Sequence, residues 1–562
     1  MGSELGITAS DAELIDLSPV SIWWATWACV WTVCVLLGVT YLIINRNAQT
    51  LRIRGLTLSL SSIGLLHLYW AVCQFATMIG ALLPGDCQYW VMGIFLPLGI
   101  SLFHASSTRF LHVANLQKKY AQYGHHLFEI SPEKPKSGLI NRFRALSYNA
   151  KILTVVGIGM FAQIFLTVLM WVISRKWHSS WGIPGTEVHG TVMAQKTAQG
   201  SGWEWWPGVA YQLFWAWIVA PFVLWKSRHI QDTQGWRTQT IGCALANLHG
   251  TPMWLIGLYV PAMAPVNAVW VPPQWICLSI WIMEIFTVFV PCYEVWRSHT
   301  LRKETLDSIA RWELKVKSSG SDEKSLNSTS TMVDSLMSGW KSTNDTIKTT
   351  DSRDSVLTMH ALEHVLDRNP GPLQKFSALR EFSGENIAFL TAVSDWKRSV
   401  PAAMLGGPSE NAQDKTAIRE CFNRALHIYA EFISVRHANF PLNISSQDMA
   451  TLDAVFDKPT QLLYGEEREM NPVSPFDKFT FDLPSPALTE SSEKAINPST
   501  TEIRNLVQFW GKVPEEFAGS VFDDAEKSIK YLVLTNTWPK FIKERRTSVE
   551  SAGSIQSDAT AV

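Results

Sequence analysis

The 562-residue sequence predicts an all-α protein, in which a seven-helix transmembrane bundle is followed by a cytosolic all-helical bundle. Residues 20 to 296 hold most of the 26 Trp and few charges, whereas the composition becomes polar from residue 297 onward. The charged fraction of 17% lies below the roughly 25% of soluble domains. The net charge is −1, so the chain has no excess of basic residues that would attract phosphate groups, and we expect no nucleic-acid partner.

Seven segments have the length of about 20 mostly apolar residues that a helix needs to cross a bilayer. They cover residues 20–44, 58–83, 89–113, 152–173, 207–225, 239–263 and 273–294. Prolines interrupt the fifth and sixth segments, and such breaks are tolerated where neighbouring helices satisfy the backbone. The first 17 residues contain no Lys or Arg, so we expect the first span to insert uncleaved. The prediction is an extracellular segment 1–19 and a transmembrane domain 20–296.

The basic residues of the loops predict the orientation. One set of loops holds 16 Lys and Arg residues, and the other set holds only Arg175, Lys176 and Lys196. Basic residues concentrate on the cytoplasmic side of a membrane protein. We therefore expect an integral protein of the plasma membrane, with its amino end outside and its carboxyl end in the cytoplasm.

Several polar side chains lie inside the predicted spans. Among them are His67, His104, Gln163, His249 and Glu284. Polar groups inside a membrane are costly and often functional. One interpretation is hydrogen bonding between helices. The other is a ligand or proton-linked site, for which His249 and Glu284 are the leading candidates, and which would serve an extracellular ligand of unidentified chemistry.

The segments that flank the cytosolic domain are polar. Residues 297–357 are predicted to be a cytoplasmic linker, because residues 318–355 are rich in Ser, Thr, Asp and Lys and cannot bury a core. Residues 547–562 form a polar tail. Ser548 follows Arg545-Arg546, which makes it a candidate phosphorylation site for a basophilic kinase, although short matches of this kind also arise by chance.

Apolar residues recur at helical spacing from residue 358 onward. Ser383 is expected to cap a helix that carries Ile387, Leu390, Val393 and Trp396 on one face. Further apolar stripes follow in residues 418–433 and 522–542. We find no nucleophile–base pair, phosphate loop or metal cluster. The pattern predicts a binding module without catalytic residues, metal or cofactor of its own.

Five stretches of this module occur in a recognisable order. They are Glu381-Phe-Ser-Gly-Glu-Asn-Ile387, Tyr429-Ala-Glu-Phe-Ile433, Leu442-Asn-Ile444, Phe522-Asp-Asp-Ala-Glu526 and Trp538-Pro-Lys-Phe-Ile542. Their sequence closely resembles the regulator of G-protein signalling (RGS) domain over about 358–456 and 515–546. The whole chain resembles fungal seven-span RGS proteins. We expect an RGS-like domain over 358–546, with a Pro- and Ser-rich insertion at about 457–514.

The resemblance implies a GTPase activator for the α subunit of a heterotrimeric G protein, in its GTP-bound or transition-state form. Such a domain is not itself an enzyme, because the α subunit supplies its own Arg and Gln. The residues that would contact the α subunit are Ser383, Glu385, Asn386, Asn443, Leu532, Asn536 and Lys540. Asn443 corresponds to the family's Asn that reaches toward the catalytic Gln. Asn536 and Lys540 stand where the family often has Asp and Arg, which should weaken or retune recognition.

The leading hypothesis is thus a membrane-tethered GTPase activator that attenuates G-protein signalling. The seven-helix bundle, embedded in the lipid bilayer, would serve as its sensor or anchor. One alternative is a G-protein-coupled receptor with a built-in RGS brake. The third span ends in Ser107-Thr-Arg109-Phe instead of an acidic-Arg-Tyr triplet, which disfavours it. Another alternative is a transporter-like bundle with a regulatory cytosolic domain.

Overall fold

The structure is a computed structural model that describes residues 7, 12–121, 143, 148–178, 180–319, 356–401, 404, 412–464 and 508–547. Its described residues are predominantly helical, and their β-structure is limited to an isolated bridge between Ser174 and Ile183. The all-α fold class is therefore confirmed. Ser548, most of the predicted linker and residues 465–507 of the predicted insertion lie outside the described residues.

The chain divides into two compact units. The first comprises Met1–Ala114 and Gly138–Trp296, and the second comprises Asn115–Ser137 and Arg297–Val562. One boundary falls at residue 297, where the composition becomes polar. The segment that begins at Asn115 belongs to the second unit, although it lies far from the rest of that unit in the sequence.

The described residues between Pro19 and Ser319 form thirteen α-helices, and three of these helices run on through single π-helical turns. They are α1 (Pro19–Ile44), α2 (Gln49–Arg54), α3 (Leu56–Ile79), α4 (Gly85–Trp90), α5 (Leu96–Gln117), α6 (Tyr148–Ile173), α7 (Val192–Gln199), α8 (Trp206–Phe214), α9 (Ala220–Ser227), α10 (Trp236–Tyr259), α11 (Ala264–Asn267), α12 (Pro273–Glu284) and α13 (Val290–Ser319). The π-helical turns are Val91–Phe95, Trp215–Val219 and Ile285–Phe289.

Six stretches within the described residues are long and apolar enough to cross a membrane, which indicates a membrane protein. They are Pro19–Ile44, Leu56–Ile79, Gly85–Ala121, Ala150–Ile173, Trp203–Ser227 and Pro273–Leu314. The sixth predicted span, 239–263, forms helix α10 but does not reach this apolarity. The reason is its polar content: Gln239, Thr240, Asn247 and Thr251 are buried, so that neighbouring protein covers them.

The three basic residues that the sequence assigns to the outer loops are all ion-paired within the first unit. Arg175 pairs with Glu187 at 2.9 Å, Lys176 with Glu204 at 2.8 Å, and Lys196 with Glu13 at 3.4 Å. The Glu204 side chain is completely buried, and its other oxygen accepts a hydrogen bond from the Ser174 hydroxyl at 2.7 Å. Since the partners are acidic, this group of loops presents little net positive charge.

In the described part of the second unit, six further α-helices have defined bounds. They are α14 (Met359–Arg368), α15 (Gly371–Leu379), α16 (Gly384–Arg398), α17 (Ala412–Ile428), α18 (Ser446–Tyr464) and α19 (Asp523–Leu532). Helix α17 runs into a π-helical turn at Tyr429–Ile433, and α19 into another at Val533–Thr537, after which residues 538–547 are helical. Helix α18 extends beyond residue 457, where the insertion is predicted to begin.

Aromatic side chains form the core of the second unit. Phe522 contacts Trp396 at 5.2 Å between ring centroids, Phe456 at 5.7 Å and Phe389 at 6.2 Å. All four side chains are buried. Because large aromatic surfaces dominate core energetics, these contacts fix α16, α18 and α19 against one another.

Candidate functional site

The predicted contact surface begins at a strained turn before α16. Phe382 has a φ of 50°, a left-handed conformation that is uncommon for a bulky residue. The Ser383 hydroxyl lies 3.1 Å from the Ser377 hydroxyl and makes no capping hydrogen bond to the helix. The expectation that Ser383 caps α16 through its side chain is therefore wrong, because this turn directs its hydroxyl toward α15.

A side chain from a distant segment takes over the capping role. The backbone N–H of Gly384 donates to Gln117 Oε1 at 3.0 Å, and Gln117 Nε2 donates to Glu385 Oε2 at 2.8 Å. The first N–H groups of a helix lack partners within the helix, so an external acceptor stabilises them. No local pattern in the sequence identifies Gln117, because its partners lie more than 260 residues away.

The residues after Gln117 extend this contact. Tyr120 is 6% exposed, and its hydroxyl lies 3.5 Å from Glu431 Oε1. Its backbone oxygen accepts a hydrogen bond from Gln374 Nε2, which also donates to Gly384 O at 3.1 Å. Gly384 leaves no room at this point, since a Cβ there would lie 2.7 Å from Tyr120 Cβ.

The seven predicted contact residues differ in exposure. Ser383, Asn386 and Glu385 are only 0%, 2% and 8% exposed. Asn443 is exposed, as it follows the last turn before α18. The other three residues, Leu532, Asn536 and Lys540, are half-buried and lie along the last helical stretch of the unit. Asn536 falls in the π-helical turn Val533–Thr537, and such turns frequently occur at functional sites.

Lys540 also has a structural contact. Its Nζ lies 2.7 Å from Glu381 Oε2, and the two side chains are 19% and 1% exposed. A buried carboxylate requires a partner for its charge. Lys540 therefore stabilises the turn before α16, in addition to the contact role that the resemblance implies.

Within the first unit, the candidates Glu284 and His249 have separate surroundings. Glu284 is completely buried, and its carboxylate accepts from Trp31 Nε1 at 2.5 Å and lies 2.8 Å from His67 Nδ1. His249 Nε2 lies 3.5 Å from the Ser279 hydroxyl. Among the described residues, no hydrogen bond or ion pair joins His249 to Glu284.

His67 joins Glu284 to a second helix through hydrogen bonds. The Thr32 hydroxyl donates to Ala28 O at 2.7 Å, so it accepts from His67 Nε2 at 3.0 Å. The other ring nitrogen, Nδ1, lies 2.8 Å from Glu284 Oε1. The buried carboxyl group therefore has polar partners inside the protein, which lowers the cost of its burial.

A cavity of about 220 Å³ lies beside this network, and it is lined mainly by indole rings. The lining residues are Trp23, Trp24, Trp27, Trp70, Gln74, Trp270, Gln274, Cys277, Leu278 and Trp281. Trp281 contacts Trp31 at 5.6 Å between centroids, and Trp31 in turn bonds Glu284. The cavity is thus one aromatic ring away from the buried carboxylate.

Comparisons with known proteins return no relative. No protein family, curated protein or solved structure matches the chain. Among the described residues, no group of three or more His, Cys, Asp or Glu side chains has a metal-binding arrangement. The functional interpretation consequently depends on the residues themselves.

Proposed function

We propose that the protein is a membrane-tethered GTPase-activating regulator of heterotrimeric G-protein α subunits, which attenuates G-protein signalling through its second unit. The observation that carries the proposal is that the stretches with RGS-like sequence pack on one another. Phe389 contacts Phe432 at 6.0 Å, and Phe376 contacts Phe541 at 5.5 Å. Phe389 also contacts Phe522 at 6.2 Å, so α16, Tyr429–Ile433 and the start of α19 share an aromatic cluster, while residues 538–547 pack on α15 through Phe541.

The proposed mechanism requires no catalytic side chain from this protein. The α subunit contributes an Arg in cis and a Gln that orients water. A partner that holds these groups in their transition-state arrangement lowers the barrier by pre-organisation. The exposed amide of Asn443 suits this role, because it can both donate and accept hydrogen bonds.

The proposed location is the plasma membrane, with the second unit in the cytoplasm. The small number of basic residues on the loops assigned to the outside, Arg175, Lys176 and Lys196 against 16 on the other set, supports this orientation. Tethering has a direct benefit, because α subunits are lipid-linked to the same membrane and the effective concentration of the two partners rises.

The experiment that tests the proposal is single-turnover GTP hydrolysis by purified α subunits, with the full-length protein in phospholipid vesicles. We expect acceleration that is lost in Asn443→Ala. The matched control is Gln447→Ala, which truncates another exposed amide four residues away and should retain full stimulation. Equal stimulation by the two variants would refute the assigned contact surface, and no acceleration of any α subunit would refute the function.

The bundle is proposed to act as an anchor or a sensor. The indole-lined cavity supports the sensor role, because it can hold a planar apolar ligand one aromatic ring away from Glu284. The alternatives are a receptor with an RGS brake and a transporter-like bundle. The rate of GDP release from the α subunit distinguishes the receptor from the GTPase activator, because a receptor accelerates GDP release and a GTPase activator does not.

A further inference from the structure

We propose that residues Asn115–Ala121, termed here the blocking segment, occupy the α-subunit contact surface and hold the second unit in an autoinhibited state. This inference rests on the proposed function, and it concerns the regulation of that site. The segment comprises the last turn of α5 and the 3₁₀ turn Lys118–Ala121, and all its residues belong to the second unit.

The blocking segment engages the surface through specific polar contacts. The carboxamide of Gln117 is completely buried and uses both of its atoms, Nε2 on the Glu385 carboxylate and Oε1 on the Gly384 N–H. Glu385 is one of the residues predicted to contact the α subunit. An α subunit cannot bind the Glu385 carboxylate and the start of α16 while Gln117 holds both.

The aromatic part of the blocking segment covers the neighbouring surface. The Tyr120 ring lies 6.3 Å from both the Phe432 and Phe440 rings, and Lys119 Nζ is 3.5 Å from Glu431 Oε1. These contacts bridge the start of α16 and the π-helical turn Tyr429–Ile433. A Cβ at Gly384 would lie only 2.7 Å from Tyr120 Cβ, so a partner protein would have to displace Tyr120 before it could approach Gly384.

The energetic balance favours a reversible block. The blocking segment contributes a few hydrogen bonds and one buried ring, and the exposed Lys119–Glu431 pair adds little. Displacement by a partner therefore requires only a modest difference in binding free energy between the open and closed states.

The variant that tests the inference is Gln117→Glu, which preserves side-chain volume and places a second carboxylate against Glu385. Repulsion between like charges should release the blocking segment without creating a cavity. We expect the single-turnover rate at subsaturating protein to rise about tenfold, equivalent to about 1.4 kcal/mol. The matched control is Lys118→Ala, in the same segment. Lys118 is exposed and donates to Asn115 Oδ1 at 3.1 Å, and this variant should retain the wild-type rate.

Hydrogen–deuterium exchange of residues 384–390 provides a second readout that does not depend on an α subunit. Exchange at the Gly384 amide should increase in Gln117→Glu and not in Lys118→Ala, because the amide loses its acceptor. Increased exchange with an unchanged, Asn443-dependent rate would overturn autoinhibition and leave the proposed function intact. Unchanged exchange would overturn the block itself. If neither wild type nor Gln117→Glu accelerates any α subunit, the proposed function fails and the inference fails with it.

Discussion

The ion pair between Lys540 and Glu381 predicts an asymmetric response to mutation. Glu381 is 1% exposed, whereas Lys540 is 19% exposed and lies 2.7 Å away. Replacing Lys540 by Met keeps an apolar side chain of similar length but removes the cation that faces a buried carboxylate. Breaking a buried pair in this way costs about 3–5 kcal/mol. That is a large fraction of the roughly 5–15 kcal/mol by which a domain is stable.

The reciprocal change should be milder. Glu381→Gln leaves an ammonium group on a flexible stem that already reaches the surface, so that water can solvate it. The expected cost is about 1–2 kcal/mol, which is typical of a weakened buried hydrogen bond. The double variant should be more stable than the sum of the two single changes predicts, because the residues are in contact and share one interaction. Lys540→Arg keeps the charge and should remain closest to wild type.

Urea unfolding of the full-length protein in detergent micelles measures these differences in stability. Pulse proteolysis at each urea concentration reports the fraction of the second unit that is unfolded. A loss of stability in Lys540→Met that is no larger than the loss in Glu381→Gln would contradict the expected asymmetry. The outcome also affects how functional data are interpreted. A loss of GTPase stimulation in Lys540→Met would report unfolding, so that Lys540→Arg is the informative variant for the contact surface.

Three further predictions concern other parts of the chain. Lys176→Met should destabilise the first unit by about 3 kcal/mol or more, because it leaves the buried Glu204 without its ion-pair partner; thermal unfolding in detergent, with Lys176→Arg as control, measures the loss. Gly55→Ala should cost about 1–3 kcal/mol, because φ is 69° and a Cβ would lie 2.8 Å from the Arg109 guanidinium; the same assay would contradict this if stability were unchanged. Burial lowers the pKa of His427 to about 4, so its contribution to stability is complete above about pH 6.5 and is lost as the pH falls toward 4, by at most about 3 kcal/mol; pulse proteolysis at several pH values should show a flatter profile for His427→Gln.

The regular elements of the fold follow from sequence periodicity. Apolar residues at spacings of three and four predict α16, and Ile387, Leu390, Val393 and Trp396 are all buried on one of its faces. The apolar runs predict seven spans, and six stretches of the described residues are helical, long and apolar enough to cross a membrane. These features depend on residues close together in the chain, which is why a single sequence is sufficient to identify them.

The contacts of the candidate site depend on residues that are far apart. Ser383 is a good capping residue by type, yet Gln117 caps the helix instead. The resemblance assigns Lys540 to a partner surface, but only the packed structure pairs it with Glu381. Glu284 is visibly unusual in an apolar segment, although its partners Trp31 and His67 come from two other helices. Tertiary packing selects such pairs, and local propensity contains no information about them.

Helix α10 has a consequence for how the protein is made. Its Cys243 and His249 contact α12, through Met283 and Ser279, and Gly250 packs against the same Ser279 side chain. Polar residues lower the tendency of a segment to partition from the translocon into lipid. The sixth predicted span therefore depends on a helix that the ribosome synthesises after it. A nascent chain arrested before Pro273 should leave α10 accessible to glycosylation or alkylation probes in the lumen or cytosol, and extension through Val290 should protect it.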